Sequence, residues 1–345
     1  MFAKNNGFMV AFNDNSYDLK RFLHDHPGGR STLEKYKGKS IVQAMKMYDH
    51  SSSAYHMMSD FKVSEGTREG NLAGAVSGNG RIITKEEVHR NPEEIAFLEE
   101  LEGRLDWSKP LLSQLSEIAP HYEKWVHTAV YRQCKLFSNP LLESLTYTSW
   151  YLVPIFWIPI IFYLIVTTYD KYVACGDSCG PENISTLQYL KYVISGTLLW
   201  TIFEYAMHRW VFHFNPGTSH TMIKIHFLIH GIHHKVPFDG LRQVFPPVPA
   251  LILAAIVYIA VSKIITYPMI RMIGGLIGYL CYDMIHYYLH HCSPSAGSYL
   301  YEMKRYHSNH HFLNHDKAFG ITSKIWDRVF KTFVHVKRLG FSLRW

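Results

Sequence analysis

The chain has none of the devices that bind nucleotides or nucleic acid. It carries no Gly-rich phosphate loop, no dinucleotide fingerprint and no platform of interleaved aromatic and basic residues. Nucleic acid is therefore not an expected partner, and a nicotinamide cofactor would have to act through a separate protein. Cysteine is scarce: five in 345 residues cannot staple a disulfide scaffold. Cys175 and Cys179 share one short loop and are placed to pair, whereas Cys134, Cys281 and Cys292 read as ordinary thiols. Charge is thin as well, 18% against 48% hydrophobic and 15% aromatic residues, a balance that suits several membrane spans. Most of the formal net charge of +7 lies in the C-terminal tail, as expected of a cytoplasmic face on an anionic membrane. No charged-then-apolar leader opens the sequence, so the first internal span is expected to direct insertion.

What the chain does have is histidine, 22 in all. Most of the excess lies between Glu204 and His315 as His208-x4-His213, His230-x2-His233-His234, Asp283-x2-His286-x3-His290 and His307-x2-His310-His311. On an α-helix, neighbours at i+3 and i+4 share one face, so each triplet converges. A five-residue step turns roughly 500° at the helical pitch and throws His213 off the face of His208. His213 is therefore expected past a helix end, with Asn215-Pro216-Gly217 as the stop. Imidazole suits iron, zinc, copper or nickel, and ten imidazoles are too many for one ion and about right for two. Glu204 and Asp283, one turn before His208 and His286, are placed to hold the outer nitrogen of an imidazole. His226, His291 and His315 also fall beside the clusters, and spacing alone leaves them open.

Four apolar stretches alternate with the clusters: Leu145 to Tyr169, Tyr189 to Met207, Val248 to Tyr267 and Met269 to Met284. Each approaches the roughly 20 residues a bilayer requires. The loop Asp170 to Leu187 and the Thr266-Tyr267-Pro268 turn are poor in Lys and Arg, while the other connections and both tails are rich in them. Termini and histidine clusters are thus expected in the cytosol, with the sequon Asn183-Ile184-Ser185 and the Cys175/Cys179 pair on the lumenal side. Residues 145–345 read as this membrane unit. Residues 66–144 read as a linker (Gly66 to Gly80), charged helical stretches (Glu93 to Leu105) and a segment at the membrane surface carrying Trp107, Trp125, Tyr131, Lys124 and Arg132.

Residues 1–65 read as a small α+β unit. Phe8 to Phe12 is a strand, Tyr17-Asp18-Leu19 begins further structure, Thr32 to Tyr36 and Ile41 to Met47 are helical, and Asp49-His50-Ser51 opens another helix. The run Tyr17-Asp-Leu-x2-Phe22-Leu-x2-His26-Pro-Gly-Gly29, followed by His50, resembles a cytochrome b5 domain. That resemblance implies haem b held by His26 and His50 from opposite faces, a closed site that passes single electrons. The usual helix before the Phe8 strand is missing from the pattern.

The four clusters in turn resemble the histidine boxes of the membrane fatty acid hydroxylase and sterol desaturase superfamily. Lys235-Val-Pro-Phe-Asp239-Gly, Val244-Phe-Pro-Pro-Val-Pro249, Tyr282-Asp-Met-Ile-His-Tyr-Tyr-Leu-His290, Gly297-Ser-Tyr-Leu-Tyr301 and Gly320-Ile-x3-Ile-Trp-Asp327 are similar to the fatty acid 2-hydroxylases within it. The resemblance implies ten metal ligands: His208, His213, His230, His233, His234, His286, His290, His307, His310 and His311. It also implies a mainly α fold, with four membrane helices under a cytosolic histidine-rich dimetal cap beside the cytochrome b5-like domain, in the endoplasmic reticulum membrane. The implied reaction is O2-dependent 2-hydroxylation of a very-long-chain fatty acid, free or within ceramide, giving an (R)-2-hydroxy product. Two irons are expected for catalysis, with zinc able to occupy the same ligands. Electrons would come from an NAD(P)H-cytochrome b5 reductase through the haem. The rival within enzymes is sterol 4-methyl oxidation or desaturation. A histidine-rich zinc transporter or a zinc hydrolase is the rival from another class, and neither accounts for a haem domain.

Overall fold

The computed structural model describes residues 7–48, 50–63, 92–176 and 182–336. Asp49, the linker Gly66 to Gly80, Cys179 and residues 1–6 lie outside them. The N-terminal unit opens with strands β1 (Met9–Phe12) and β2 (Asn15–Asp18), antiparallel with Val10 opposite Tyr17. Asn13, at φ 52°, makes the tight turn in the left-handed region that asparagine tolerates. Phe8, Val10, Phe12 and Tyr17 point to one side and are buried against Leu33, Ile41, Met57 and Phe61. Helices α1 (Arg30–Glu34), α2 (Val42–Met47) and α3 (Ser52–Met57) complete the unit. Ser51 caps α3 by accepting from the Ala54 N–H.

The helix expected around Glu93 to Leu105 is α4 (Pro92–Gly103). The chain beyond it, expected at a membrane surface, holds α5 (Tyr122–Val126) and α6 (Pro140–Ser144). Trp125 is 1% exposed in a core of Leu101, Leu115, Ile118, Tyr122, Phe227 and Ile232. Tyr131 packs on Phe22 and Phe61 of the N-terminal unit, and Arg132 stacks on Trp107. The aromatic and basic residues that looked like a lipid-facing stripe thus weld two parts of the protein together; sequence cannot tell the two uses apart, because both need large rings beside cations.

The apolar half consists of α7 (Leu152–Tyr169, prolonged to Ala174), α8 (Thr186–Ala206), α11 (Pro247–Val261) and α12 (Pro268–His291). Between α8 and α11 lie α9 (His220–His226) and α10 (Ile232–Lys235), and after α12 come α13 (Tyr299–Phe312) and α14 (Ile325–Val329). Helices α8 and α12 touch backbone to backbone: a methyl group on Gly196 would strike the Arg271 carbonyl, and one on Gly274 the Val193 carbonyl. Among the described residues, Leu152–Ala174 is the one helix long and apolar enough to cross a membrane. The expected count of four spans is therefore not reproduced by length and composition. Helix α11, at 15 residues, is about 22 Å long, while α8 carries Lys191 and Glu204 and α12 carries Arg271 and Asp283. The first span also begins at Leu152 and not Leu145, because residues 145–151 form turns. Cys175 is disulfide-bonded, and Cys134, Cys281 and Cys292 are free.

Candidate metal centre

His208 lies where α8 runs on into a π-helical turn, Met207–Phe212, and His213 follows it. The Phe212 end agrees with the expected stop, but the rings do not diverge. A π turn closes bonds five residues apart, the His213 N–H donates to the His208 carbonyl at 3.2 Å, and the two ring centres stand 5.0 Å apart. A second π turn, Phe227–Gly231, joins α9 to α10 and carries His230 ahead of His233 and His234. His286 and His290 end α12, and His307, His310 and His311 end α13.

These ten side chains gather into two groups of five, His208, His213, His230, His234 and His310 in one and His233, His286, His290, His307 and His311 in the other. In the first group the Nε2 separations are 3.2 Å for His208–His230, 3.1 Å for His230–His234 and for His234–His213, and 3.0 Å for His213–His310. In the second, His286 stands 3.1 Å from His233 and 3.0 Å from His307, which lies 2.8 Å from His290 and 3.0 Å from His311. Ligands about 2.1 Å from a shared ion are about 3 Å apart at right angles and about 3.4 Å apart in a tetrahedron. The closest separations in both groups lie near 3 Å, within the range that ligands sharing one ion require. The groups adjoin, with His234 stacked on His311 at 4.2 Å.

The electrostatics favour ligation. Burial and crowding push His213, His230, His233, His234, His307, His310 and His311 well below the ordinary imidazole range, and burial takes His208 to about 4. All are then neutral at physiological pH, the form that binds metal. The Nδ1–H of His208 donates to the Phe319 carbonyl at 2.6 Å and that of His310 to the Lys317 carbonyl at 2.7 Å, which points both Nε2 lone pairs inward. Converging lone pairs in a buried site repel one another, and a cation is what relieves them.

Glu204 and Asp283 spend their oxygens elsewhere. Glu204 accepts from the Thr322 hydroxyl and, at 3.0 Å, from Trp200 Nε1. Asp283 accepts from the Phe245 N–H at 3.3 Å and from the Tyr279 hydroxyl at 3.5 Å. The Phe319 carbonyl takes the place expected of Glu204 at His208, and a backbone partner leaves no trace in residue type. His226 meets the Tyr122 hydroxyl at 2.8 Å, His291 stands 3.8 Å from Asp25, and His315 stacks on His127 at 3.9 Å. His127 is a residue the sequence did not single out: it stacks on His213 and meets His234 edge-on at 5.1 Å. Lys235, named so far only as the first residue of a motif, is fully buried beside His234, paired with Glu102 and donating to the Thr128 carbonyl at 2.8 Å.

An apolar cavity of about 890 Å3 runs from the helices to this centre. Leu199, Phe203, Phe212, Leu253 and Leu276 line it together with His230, His233 and His286 of the two groups. That shape fits a long alkyl chain whose head lies at the histidines.

In the N-terminal unit, His26 and His50 face each other across a second cavity of about 260 Å3, with ring centres 6.3 Å apart and planes within 24°. Two rings sharing an ion at about 2 Å from each nitrogen have centres about 6 Å apart. His26 Nδ1 lies 3.3 Å from the Gly29 carbonyl and His50 Nδ1 3.0 Å from the Met45 carbonyl, so each Nε2 carries the lone pair. The walls are Leu33, Tyr36, Met45, Met57, Met58 and Phe61, and the site fits an apolar macrocycle with an axial imidazole on each face.

Residues 193–332 match the fatty acid hydroxylase family and residues 2–66 the cytochrome b5-like heme/steroid binding domain. The chain is similar to the fatty acid 2-hydroxylase of Homo sapiens, 35% identical over 93% of this chain and 90% of that protein. It is also similar to the ceramide very long chain fatty acid hydroxylase of Saccharomyces cerevisiae, 30% identical over 96% of this chain and 91% of that one. A solved structure of full-length scs7p, in which only the hydroxylase domain is visible, superposes with a TM-score of 0.60 at 32% identity, covering 70% of this chain and 89% of that chain.

Proposed function

The chain belongs to the fatty acid 2-hydroxylase family, and from that premise we propose that it inserts oxygen at carbon 2 of a very-long-chain fatty acid or of the N-acyl chain of ceramide. The observation that carries this reading is the pair of five-imidazole groups bordering the long apolar cavity. The ten histidines would hold the two metal ions, and His26 and His50 would hold haem b between them. With O2 and two electrons taken one at a time, an iron pair supplies the oxidant that an unactivated C2–H bond requires. The chain's own residues do the rest. The carbonyls of Phe319 and Lys317 fix the tautomers of His208 and His310, the apolar walls hold the acyl chain and exclude water, and His230, His233 and His286 border the place where carbon 2 must lie.

The same reading gives residues 1–65 as the haem unit, 66–144 as the connection and 145–345 as a four-helix unit of the endoplasmic reticulum membrane, with termini and histidines cytosolic. Exposed Ile155, Phe162, Leu198, Ile252 and Ile256 on α7, α8 and α11 supply a lipid-facing surface for helices whose composition alone is ambiguous. An NAD(P)H-cytochrome b5 reductase is the electron source. Lipid analysis is the test: cells expressing the chain should gain (R)-2-hydroxy acyl chains, and cells expressing His234→Ala should not. An unchanged 2-hydroxy pool beside altered 4-methyl sterols would replace this reading with sterol methyl oxidation.

A further inference from the structure

The Phe238 of Lys235-Val-Pro-Phe-Asp239-Gly has no part in either metal site, yet it stands between them. Its ring centre is 5.5 Å from Phe22, itself 5.8 Å from the haem-site His26, and 6.4 Å from His290 of the second histidine group. Phe312 stacks on it at 6.3 Å, lines the cleft between His26 and His50, and lies 6.4 Å from its chain neighbour His311, also of the second group. Both routes end on the same five histidines. The first group is flanked instead by Phe319, 5.6 Å from His208 and 5.3 Å from His213. The haem unit is fixed in this pose by polar contacts that need no haem. Ser293 donates to the His24 carbonyl at 3.0 Å, Tyr131 to Asp25 at 2.9 Å and Arg132 to Asp60 at 2.6 Å.

We propose that electrons leave the haem through the paired rings of Phe238 and Phe312 and enter the centre at the His233, His286, His290, His307 and His311 group, with the haem unit docked as seen here. In each transfer one ferrous haem iron is oxidised to ferric and one metal ion of that group is reduced by a single electron; no atom or proton moves. Two transfers, with the haem re-reduced between them by a flavin-containing reductase, supply one hydroxylation. Phe238 and Phe312 are positioning residues that fix the gap across which the electron passes. The inference rests on the proposed hydroxylase function and adds a route and a point of entry.

The test uses the full-length holoenzyme with its haem pre-reduced, mixed with O2 and acyl substrate, while haem reoxidation is followed by absorbance. The Phe238→Ala, Phe312→Ala pair should reoxidise severalfold more slowly than the parent, with an unchanged six-coordinate haem spectrum and unchanged bound metal. The Phe238→Leu, Phe312→Leu pair refills the space and should recover part of the rate; it carries the test alone if the alanine pair does not fold. Parental speed in a folded pair overturns the route. A bismaleimide bridge between His24→Cys and Ser293→Cys should leave reoxidation intact, and its loss overturns the docked pose. A parent haem that stays reduced in the presence of O2 and substrate overturns the hydroxylase reading itself, whatever the variants do.

Discussion

The haem unit and the histidine cap both present imidazoles to metal, on opposite plans. In the haem unit two rings face each other at 6.3 Å from loops beside short helices, one on either side of a flat cleft. In the cap ten rings come from α8, α9 to α10, α12 and α13, five to a group, with one flank open to a cavity of about 890 Å3. A haem iron held by an imidazole on each face would have no place for substrate, so the first plan suits electron transfer alone. Ligands gathered on one side of an apolar channel leave a place where a carbon chain can meet the centre, so the second plan can do chemistry. The difference is one of access and not of ligand type.

The sharpest way to break that comparison is to remove a ligand from each part. His234→Ala or His310→Ala should lower 2-hydroxy product by more than about 100-fold, beyond the 10–100-fold cost of disturbing an outer partner, and no added electron donor should restore it. Glu204 and Asp283 are already bonded to Trp200, Thr322, Phe245 and Tyr279 and cannot substitute. The His26→Ala, His50→Ala pair should lose NADH-driven turnover and its haem absorption. It should regain part of the turnover when free cytochrome b5 and its reductase are added, since the missing function is delivery alone. Rescue of a box variant by the donor, or a haem spectrum that survives in the double variant, would show that the two plans do not divide the work this way.

How much of this was legible in the residues depended on the range of the interaction. The four histidine clusters were legible because residue type and spacing are written in the chain, whereas the choice of ten among them and the pairing of His26 with His50 came with the family resemblances. The division of the ten into two fives was not legible, because His233 and His234 are neighbours in sequence that serve different groups. The π turn that brings His213 back to His208 was invisible for a like reason, since no residue type encodes it. The burial of Trp125 and the packing of Tyr131 on Phe22 were not legible, because a ring beside a cation reads the same at a lipid surface and in a buried seam. The four spans are not all recognisable by length and composition, as α8 and α12 mix apolar stretches with Lys191, Glu204, Arg271 and Asp283.

A smaller effect sharpens the boundary between the two parts. Lys235, buried next to His234, pairs with Glu102 and packs over Trp125 at 4.4 Å, and burial lowers its ammonium to about 8 although Glu102 raises it. Lys235→Ala leaves the Glu102 carboxylate, 7% exposed, without its closest cation. The cost should be about 3–5 kcal/mol of stability, and replacing both by Met and Leu should cost less than the single change. Thermal unfolding in detergent checks both; a single variant as stable as the parent would mean that Arg132, 3.9 Å from Glu102, already suffices.

The smallest effect separates a buried histidine that holds metal from one that does not. Burial lowers His226 to about 4, and its partner is the Tyr122 hydroxyl at 2.8 Å. Between the ordinary value of about 6.5 and the folded value, the unfolded chain binds a proton that the native one refuses, so stability must fall as pH falls through that window. His226→Gln keeps a hydrogen-bonding group for Tyr122 but cannot titrate, and should flatten the decline of the unfolding temperature between about pH 6.5 and 4. The box histidines share the sign of this dependence, yet their protonation competes with metal and should show as metal released into solution. His226→Gln should therefore change the acid limb of unfolding while leaving the pH of metal release where it was. A shift in metal release would place His226 among the groups that tune the centre and erase the distinction.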